Sequence, residues 1–269
     1  HIMSSGEWIH QVKWDGIRGI SYLDHGEFRV FTKKGLERTF FYPEMAHIKG
    51  LFSGHQAILD GEIVVLSQQG KPIFQHVLVR ERVRSMEKVD YYARRYPVKY
   101  IVFDILSLND QLLITEPLYK RKELLLTYLK QDQTIGITDD FSNGQKLLTL
   151  MKDKGWEGIV SKKQDSRYSP GKHHQDWYKT KIYKKMLTVV SGIQWKGDYP
   201  NALLLSIFKN QKLQYIGKAS LGLKQQDFEL LKQYAGELQQ NTAPFAKEGK
   251  WKDVTWLKPR LTCWVQYLE

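Results

Sequence analysis

Lys13, Asp15 and Arg18 stand together in the stretch VKWDGIRG, close to the start of the chain. A lysine amine becomes a nucleophile once it sheds its proton, and desolvation or a neighbouring cation such as Arg18 favours that neutral form. Asp15 could bind a metal ion or hold the lysine in place. Taken alone, the hexapeptide KWDGIR also reads as a surface lysine ahead of a turn at Gly16.

Other stretches carry matching chemistry. LDGEIVV sets Asp60 and Glu62 on either side of Gly61, and VFDIL puts Phe103 beside an acid, Asp104, inside an apolar run. WEGIVSKK brings Glu157 before Gly158 and Lys162 after it; DWYKTKIYKK offers Lys179 and Lys181. Residues two apart on a strand share a face. Two lysines on one face among aromatics suit a polyphosphate, and carboxylates opposite them would hold a divalent metal. Each stretch has a plainer reading, a turn at Asp-Gly or a solvated lysine-rich strand. Those plainer readings would have to hold at every one of these places in one chain.

Strands must deliver these side chains. WIHQVKW, RGISYLD, FRVFTKKG, AILDGEIVVLS and VKYIVFDILSL alternate apolar residues between Gly, Asp and Asn punctuation, the pattern of β-strands. Helical periodicity covers FQHVLVRERVRSMEKV, PLYKRKELLLTYLKQ and NGQKLLTLMKDKG, the last opening on an Asn-Gly cap signal and closing at Gly155. Strands and helices alternate without a regular βαβ rhythm, so the spacing predicts an α+β fold of mixed, largely antiparallel sheets with helices. Beyond Lys184 and Lys185, short strands (MLTVVSGIQW, ALLLSIFKN, KLQYIGKAS, LTCWVQYLE) surround one helix, LKQQDFELLKQYAGEL. That pattern suits a small OB-fold β-barrel over 185–269, behind a first domain over 1–184.

Composition narrows the partners. Among 269 residues, Lys and Arg number 41 against 29 Asp and Glu, a formal net charge of +12 that favours an anionic partner, nucleic acid before membrane. No apolar run reaches transmembrane length and no signal segment is visible, which points to the cytoplasm. The single cysteine, Cys263, can form neither an internal disulfide nor a four-cysteine zinc site and reads as a small core residue. The opening His1-Ile2-Met3 reads as a cloning remnant.

In their order, these stretches resemble the motifs of the covalent nucleotidyltransferases: DNA ligases, RNA ligases and mRNA capping enzymes. KWDGIR resembles motif I, LDGEIV motif III, VFDIL motif IIIa, EGIVSK motif IV and WYKTK motif V. The form of KWDG, LDGE and EGIV is most similar to bacterial ATP-dependent DNA ligases of the end-joining type. The resemblance spans almost the whole chain.

The resemblance implies a three-step reaction. Lys13 takes AMP from ATP, AMP passes to the 5′-phosphate of a DNA nick, and the 3′-hydroxyl then displaces it. It implies Arg18 and Glu62 at the ribose or nearby phosphate, Phe103 stacked on adenine, and Lys179 and Lys181 at the α-phosphate. Gln11 and Val12 belong to the same nucleotide site, and Asp15, Glu62 and Glu157 are expected around Mg²⁺ or Mn²⁺. Nicked double-stranded DNA is the implied partner of a monomeric, nucleoid-associated bacterial enzyme, with a Ku-like end-binding protein as its companion. Phosphate contacts are expected from Lys33, Lys34, Arg38, Lys162, Lys163, Lys172 and Lys218, with little sequence preference. His173 and His174, in the loop SRYSPGKHHQDW, read as surface residues near DNA. Trp8, Trp14 and Trp177 read as packing residues.

The sequence departs from the family pattern at several points. Gln11 stands where members usually carry Glu, and TKKG replaces Ser/Thr-Arg-x-Gly, so Lys33 keeps a charge without the bidentate fork. Neither the PML-like strand before motif I nor the basic motif VI is present, and a second domain cut short at its C-terminus is the expectation. Rival readings are an RNA ligase or capping-type enzyme, and a non-catalytic nucleic-acid-binding module with a vestigial nucleotide pocket.

Overall fold

The computed structural model describes residues 2–171, 175–220, 222–246 and 251–268, and divides into two compact units, 1–182 and 183–269. Lys172, His173 and His174 lie outside the described residues.

The first unit runs β1 (Trp8–Val12), β2 (Ile17–Asp24), β3 (Glu27–Thr32), α1 (Ile48–Leu51), β4 (Gln56–Val65), α2 (Phe74–Glu81), α3 (Val89–Arg95), β5 (Val98–Leu108), β6 (Gln111–Leu112), α4 (Leu118–Tyr128), β7 (Ile135–Ile137), α5 (Gly144–Lys154), β8 (Gly158–Lys163) and β9 (Trp177–Lys181). One antiparallel sheet is ordered β3-β2-β4-β5-β6, with β7 parallel to β5; the other is β1-β8-β9. The single helical pattern over FQHVLVRERVRSMEKV is broken in the structure. It ends at Glu81 because the Arg38 guanidinium takes the carbonyls of Arg80, Glu81 and Val83, and the chain turns before α3.

The main core packs Val30, Leu59, Ile63, Val102, Ile105, Leu125 and Ile135, all essentially inaccessible, from the six-stranded sheet and its helices. A second cluster locks α5 onto β8. Asn143 Oδ1 accepts a hydrogen bond from the Lys146 amide at 2.9 Å, and Gly155 closes the helix in the left-handed region at φ 65°. Between those caps, Leu147 and Met151 pack on Ile159, each full burial contributing about 1.5–3 kcal/mol. Met3, set aside in the sequence as a remnant, packs on this same cluster.

The second unit holds β10 (Lys184–Lys196), β11 (Tyr199–Lys209), β12 (Lys212–Ala219), α6 (Gln225–Leu238), β13 (Gln239–Gln240), β14 (Val254–Leu257) and β15 (Thr262–Tyr267). The sheet is ordered β12-β11-β10-β14-β13, with β15 paired to β10, and every pairing is antiparallel. Its core joins Val190, Ile193, Leu203, Leu205 and Leu257 to Leu231 and Ala235 of α6. Cys263 packs against that core. The α+β expectation holds, and the antiparallel strands around one helix are consistent with an OB fold. Strand β14, four residues without clear alternation, was not visible in the sequence.

Candidate active site

The β1-β8-β9 sheet brings three motifs to one place. β1 ends at Val12, and the Lys13 amide then hydrogen-bonds the Gly158 carbonyl at 3.0 Å, tying the lysine to the start of β8. Gly158 has φ 144°, and a Cβ there would lie 2.0 Å from the Thr180 carbonyl oxygen, so only glycine lets β8 and β9 come this close. Glu157, just before it, is held from the other side by the Ile182 amide, which donates to the Glu157 carbonyl at 2.8 Å. Beyond Lys13 the chain turns at Gly16, where a Cβ would meet the Ile63 carbonyl oxygen at 2.3 Å. That approach seats the turn against β4.

The side chains then converge. Lys13 Nζ donates to Glu157 Oε2, and Lys181 Nζ lies 3.6 Å from Glu157 Oε1, so one buried carboxylate faces two lysines. Lys179, opposite Val160 in the register, points to the same face as Lys181. Burial, with Lys13 and Arg18 nearby, lowers the pKa of Lys179 below the ordinary lysine value. Arg18 and Glu62 are opposed across β2 and β4. Burial pushes the Glu62 carboxyl up to about 8, against the opposing pull of Lys13.

A cavity of about 250 Å³ lies among these groups. Gln11, Val12, Lys13, Arg18, Lys33, Glu62, Phe103 and Lys179 line it, so most of the predicted nucleotide-site residues share one wall or another. Asp15 is half-buried in the loop after β1, outside the lining. Among the described residues, no three His, Cys, Asp or Glu side chains are grouped to hold a metal ion. The sequence expectation places Asp15, Glu62 and Glu157 around the metal without requiring them to ligate it as one cluster.

Corrections follow for the basic residues. Arg38 is 3% exposed, its guanidinium committed to Glu81 and three carbonyls, and stacked 3.8 Å from the Phe41 ring centroid. It is an internal brace, removed from any phosphate-contacting face. Lys162 is 2% exposed and lies inside the cavity wall, Nζ 4.0 Å from the Trp177 ring and 4.5 Å from the Phe103 ring. It too is off the surface, because it faces inward on β8. Lys33, Lys34 and Lys218 are exposed and Lys163 is half-exposed.

Two tryptophans read as packing residues do pack, Trp14 on Trp156 and Trp177 on Phe103 and Tyr168, and they also belong to the cavity wall. Trp14 and Trp177 line the cavity, Trp14 anchored by Nε1 to Thr138 Oγ1 at 3.3 Å. Three further residues carried no signal in sequence: Tyr168, whose hydroxyl donates to Asp60 at 2.8 Å, and Thr138 and Asp140 beyond β7. Asp104 was visible as a buried acid. The structure pairs it with Arg121 at 2.8 and 2.9 Å, both fully buried, and so gives it an architectural place beneath the cavity.

Comparison with known proteins shows the family. A family model described as ATP dependent DNA ligase domain matches residues 1–181, and one described as ATP dependent DNA ligase C terminal region matches 196–269. The chain is 28% identical over 279 residues to the multifunctional non-homologous end joining DNA repair protein LigD of Mycobacterium tuberculosis, covering 99% of this chain and 34% of that protein. It is 30% identical over 271 residues to LigD of Mycolicibacterium smegmatis, covering 98% of this chain and 34% of that protein. The chain thus spans about a third of the length of these curated relatives. The crystal structure of the ligase domain from M. tuberculosis LigD matches with a TM-score of 0.60 at 27% identity, over 99% of this chain and 85% of that one. A mycobacterial DNA ligase D complexed with ATP and MES matches to the same extent.

Proposed function

This chain belongs to the ATP-dependent DNA ligases, and we propose that it seals 5′-phosphate/3′-hydroxyl nicks in double-stranded DNA through a lysyl-AMP intermediate on Lys13. The observation that carries the reading is the meeting of Lys13, Arg18, Glu62, Phe103 and Lys179 around one cavity, with Glu157 bonded to the Lys13 amine.

In the first step Lys13 Nζ attacks the α-phosphorus of ATP, the bond to pyrophosphate breaks, and AMP stays on the lysine as a phosphoramidate. Splitting one hard displacement into easier ones is what a covalent nucleophile contributes. Glu157 holds the amine at the cavity mouth while it waits. Lys179 and Lys181 face the oxygens where negative charge grows, a contribution of position and electrostatics. Phe103 offers a ring face for the base, and Arg18 and Glu62 take the sugar and adjoining phosphate. AMP next moves to the 5′-phosphate of the nick, and the 3′-hydroxyl then attacks that phosphate and expels AMP.

Asp15, Glu62 and Glu157 would supply carboxylate oxygens to Mg²⁺ or Mn²⁺. One or two protein carboxylates, completed by phosphate oxygens and water, is the donor set such ions accept. The ion would neutralise phosphate charge. Of the lysines predicted to follow the DNA backbone, Lys33, Lys34, Lys163 and Lys218 keep that role, in a protein acting as a monomer in the bacterial nucleoid beside a Ku-like protein. No helix among the described residues is long and apolar enough to cross a membrane.

Intact mass of the purified chain with and without ATP and Mg²⁺, beside Lys13→Ala, tests the reading. A gain of one AMP that vanishes in the variant is expected, followed by sealing of nicked DNA in preference to nicked RNA. A chain that binds DNA but neither gains AMP nor seals a pre-adenylated nick would be a binding module instead.

A further inference from the structure

Two motif acids stand behind the cavity. Asp60 and Asp104 are fully buried, and neither lines it. Both bear on one residue of the loop between β8 and β9, Tyr168, which lies outside the lining as well. Its hydroxyl lies 2.6 Å from Arg18 Nη2 and 2.8 Å from Asp60 Oδ2. A guanidinium has no acceptor, so the tyrosine oxygen accepts from Arg18, and its one proton goes to Asp60. Asp60 Oδ2 takes Arg18 Nη2 as well, at 2.6 Å, which closes a triangle of three hydrogen bonds.

The loop that carries Tyr168 is pinned from three sides. The Tyr168 amide donates to the Ile114 carbonyl at 2.9 Å. Two residues earlier, the Ser166 carbonyl accepts from Arg121 Nη1 at 3.1 Å, and Arg121 is the partner of Asp104. Trp177 Nε1 donates to Ser166 Oγ at 3.3 Å, and its ring meets the Tyr168 ring at 5.8 Å and 81°. Trp177 opens β9, the strand of Lys179 and Lys181. Arg18, by contrast, keeps 32% of its side chain exposed. The fork to Asp60 fixes those two groups to each other; the Tyr168 hydroxyl, reaching both, fixes the pair to the loop. Arg18 Nη1 has no hydrogen bond among the described residues, so donors remain for a ligand.

We propose that Tyr168 is a positioning residue of the nucleotide site: its hydroxyl holds the Arg18 guanidinium where it meets the sugar and adjoining phosphate of ATP. Tyr168 touches neither the nucleotide nor the reacting atoms and acts through Arg18. A guanidinium held in place before ATP arrives loses less freedom on binding it. The inference rests on the nucleotidyltransferase reading and adds a residue that its motifs leave out, since Tyr168 lies between EGIVSK and WYKTK. It also gives the two buried acids one task. Asp60 takes the tyrosine proton, and Asp104, through Arg121 and the Ser166 carbonyl, holds the loop that presents the tyrosine. Tyr168→Phe keeps the ring packed on Trp177 and removes both hydrogen bonds, so Arg18 and Asp60 come loose from the loop.

The test follows the full chain in two ways: ATP binding through tryptophan fluorescence, since Trp14 and Trp177 line the cavity, and AMP attachment through intact mass. Tyr168→Phe should raise the ATP concentration for half-maximal binding and half-maximal AMP attachment by about tenfold, and leave the plateau rate within about threefold of wild type. A merely structural loss would lower the folded fraction, and with it the plateau, without moving the midpoint. In an Arg18→Lys background the same substitution should move the binding midpoint by less than about twofold, because lysine has no fork to orient. An unmoved midpoint in Tyr168→Phe, or a shift of about tenfold that persists with Arg18→Lys, would overturn the proposal and leave the ligase reading standing. A wild-type chain that neither binds ATP nor gains AMP would overturn both.

Discussion

The guanidinium of Arg18 meets the carboxylate of Asp60 through two parallel hydrogen bonds, Nε to Oδ1 at 2.9 Å and Nη2 to Oδ2 at 2.6 Å. Asp60 is fully buried, and Tyr168 completes it by donating from the loop that follows β8. The motif acid thus acts through Arg18. It fixes which way the guanidinium points, with its central carbon 5.9 Å from the Phe103 ring centroid.

Asp60→Asn should therefore damage both stability and nucleotide handling. It leaves a part-buried guanidinium without its counter-charge, at a cost of about 2–4 kcal/mol. Urea denaturation would show the lower midpoint, and the ATP concentration needed for half-maximal AMP attachment should rise. A variant with wild-type stability and wild-type ATP dependence would show the fork to be ornamental.

Two arginine and lysine positions give opposite outcomes in one pair of assays. Arg38→Ala removes a guanidinium bonded to Glu81 and to the carbonyls that end α2. It should cost about 2–4 kcal/mol of stability and leave the salt dependence of DNA binding unchanged. Lys33→Ala removes an exposed charge at the cavity rim. Its stability should stay within about 0.5 kcal/mol of wild type, while the slope of log affinity against log salt falls by about one. The reverse pattern would return Arg38 to the DNA face.

These contrasts mark what could be read in the sequence. The residues we propose to react stand out in the sequence because backbone constraints lie close by. Gly16 and Gly158 sit beside Lys13 and Glu157, and each stands where a Cβ would strike a carbonyl oxygen. Strand alternation also gave Lys179 and Lys181 their common face. Burial of charge was not legible. Arg38 and Lys162 lie in basic stretches that look solvated, and only tertiary packing turns them inward. Asp140 was invisible for a related reason: its partners, Gln11 and Lys122, are far away in the chain. The break after Glu81 was hidden too, since a distant arginine caps the helix.

Gly158→Ala tests the backbone side of this argument. The substitution must accommodate a methyl 2.0 Å from the Thr180 carbonyl oxygen at φ 144°. Strain of that kind costs about 1–3 kcal/mol in backbone conformation alone, and separating β8 from β9 would add to it. Glu157 and Lys181 sit on either side of that pairing. AMP attachment should drop at least about tenfold even at temperatures where the variant stays folded, as expected when a near-attack geometry shifts by an ångström. Circular dichroism melting alongside the mass assay separates the two effects.

The two shifted groups of the cavity should write opposite slopes into the pH dependence of stability. Glu62 is raised by burial to about 8 from 4.5, so between those values the folded chain holds a proton that the unfolded chain has released. Its contribution is fully present below about pH 4.5 and is lost as pH climbs through 8. Lys162 is lowered by burial to about 7 from 10.5, so between those values the unfolded chain holds the extra proton. Stability from this group rises as pH goes from about 7 to 10.5. The windows overlap only near neutrality, which lets single variants separate them. Glu62→Gln should flatten the decline in melting temperature between about pH 5 and 7, leaving the alkaline side alone. Lys162→Met should flatten the rise between about pH 8 and 10, leaving the acid side alone.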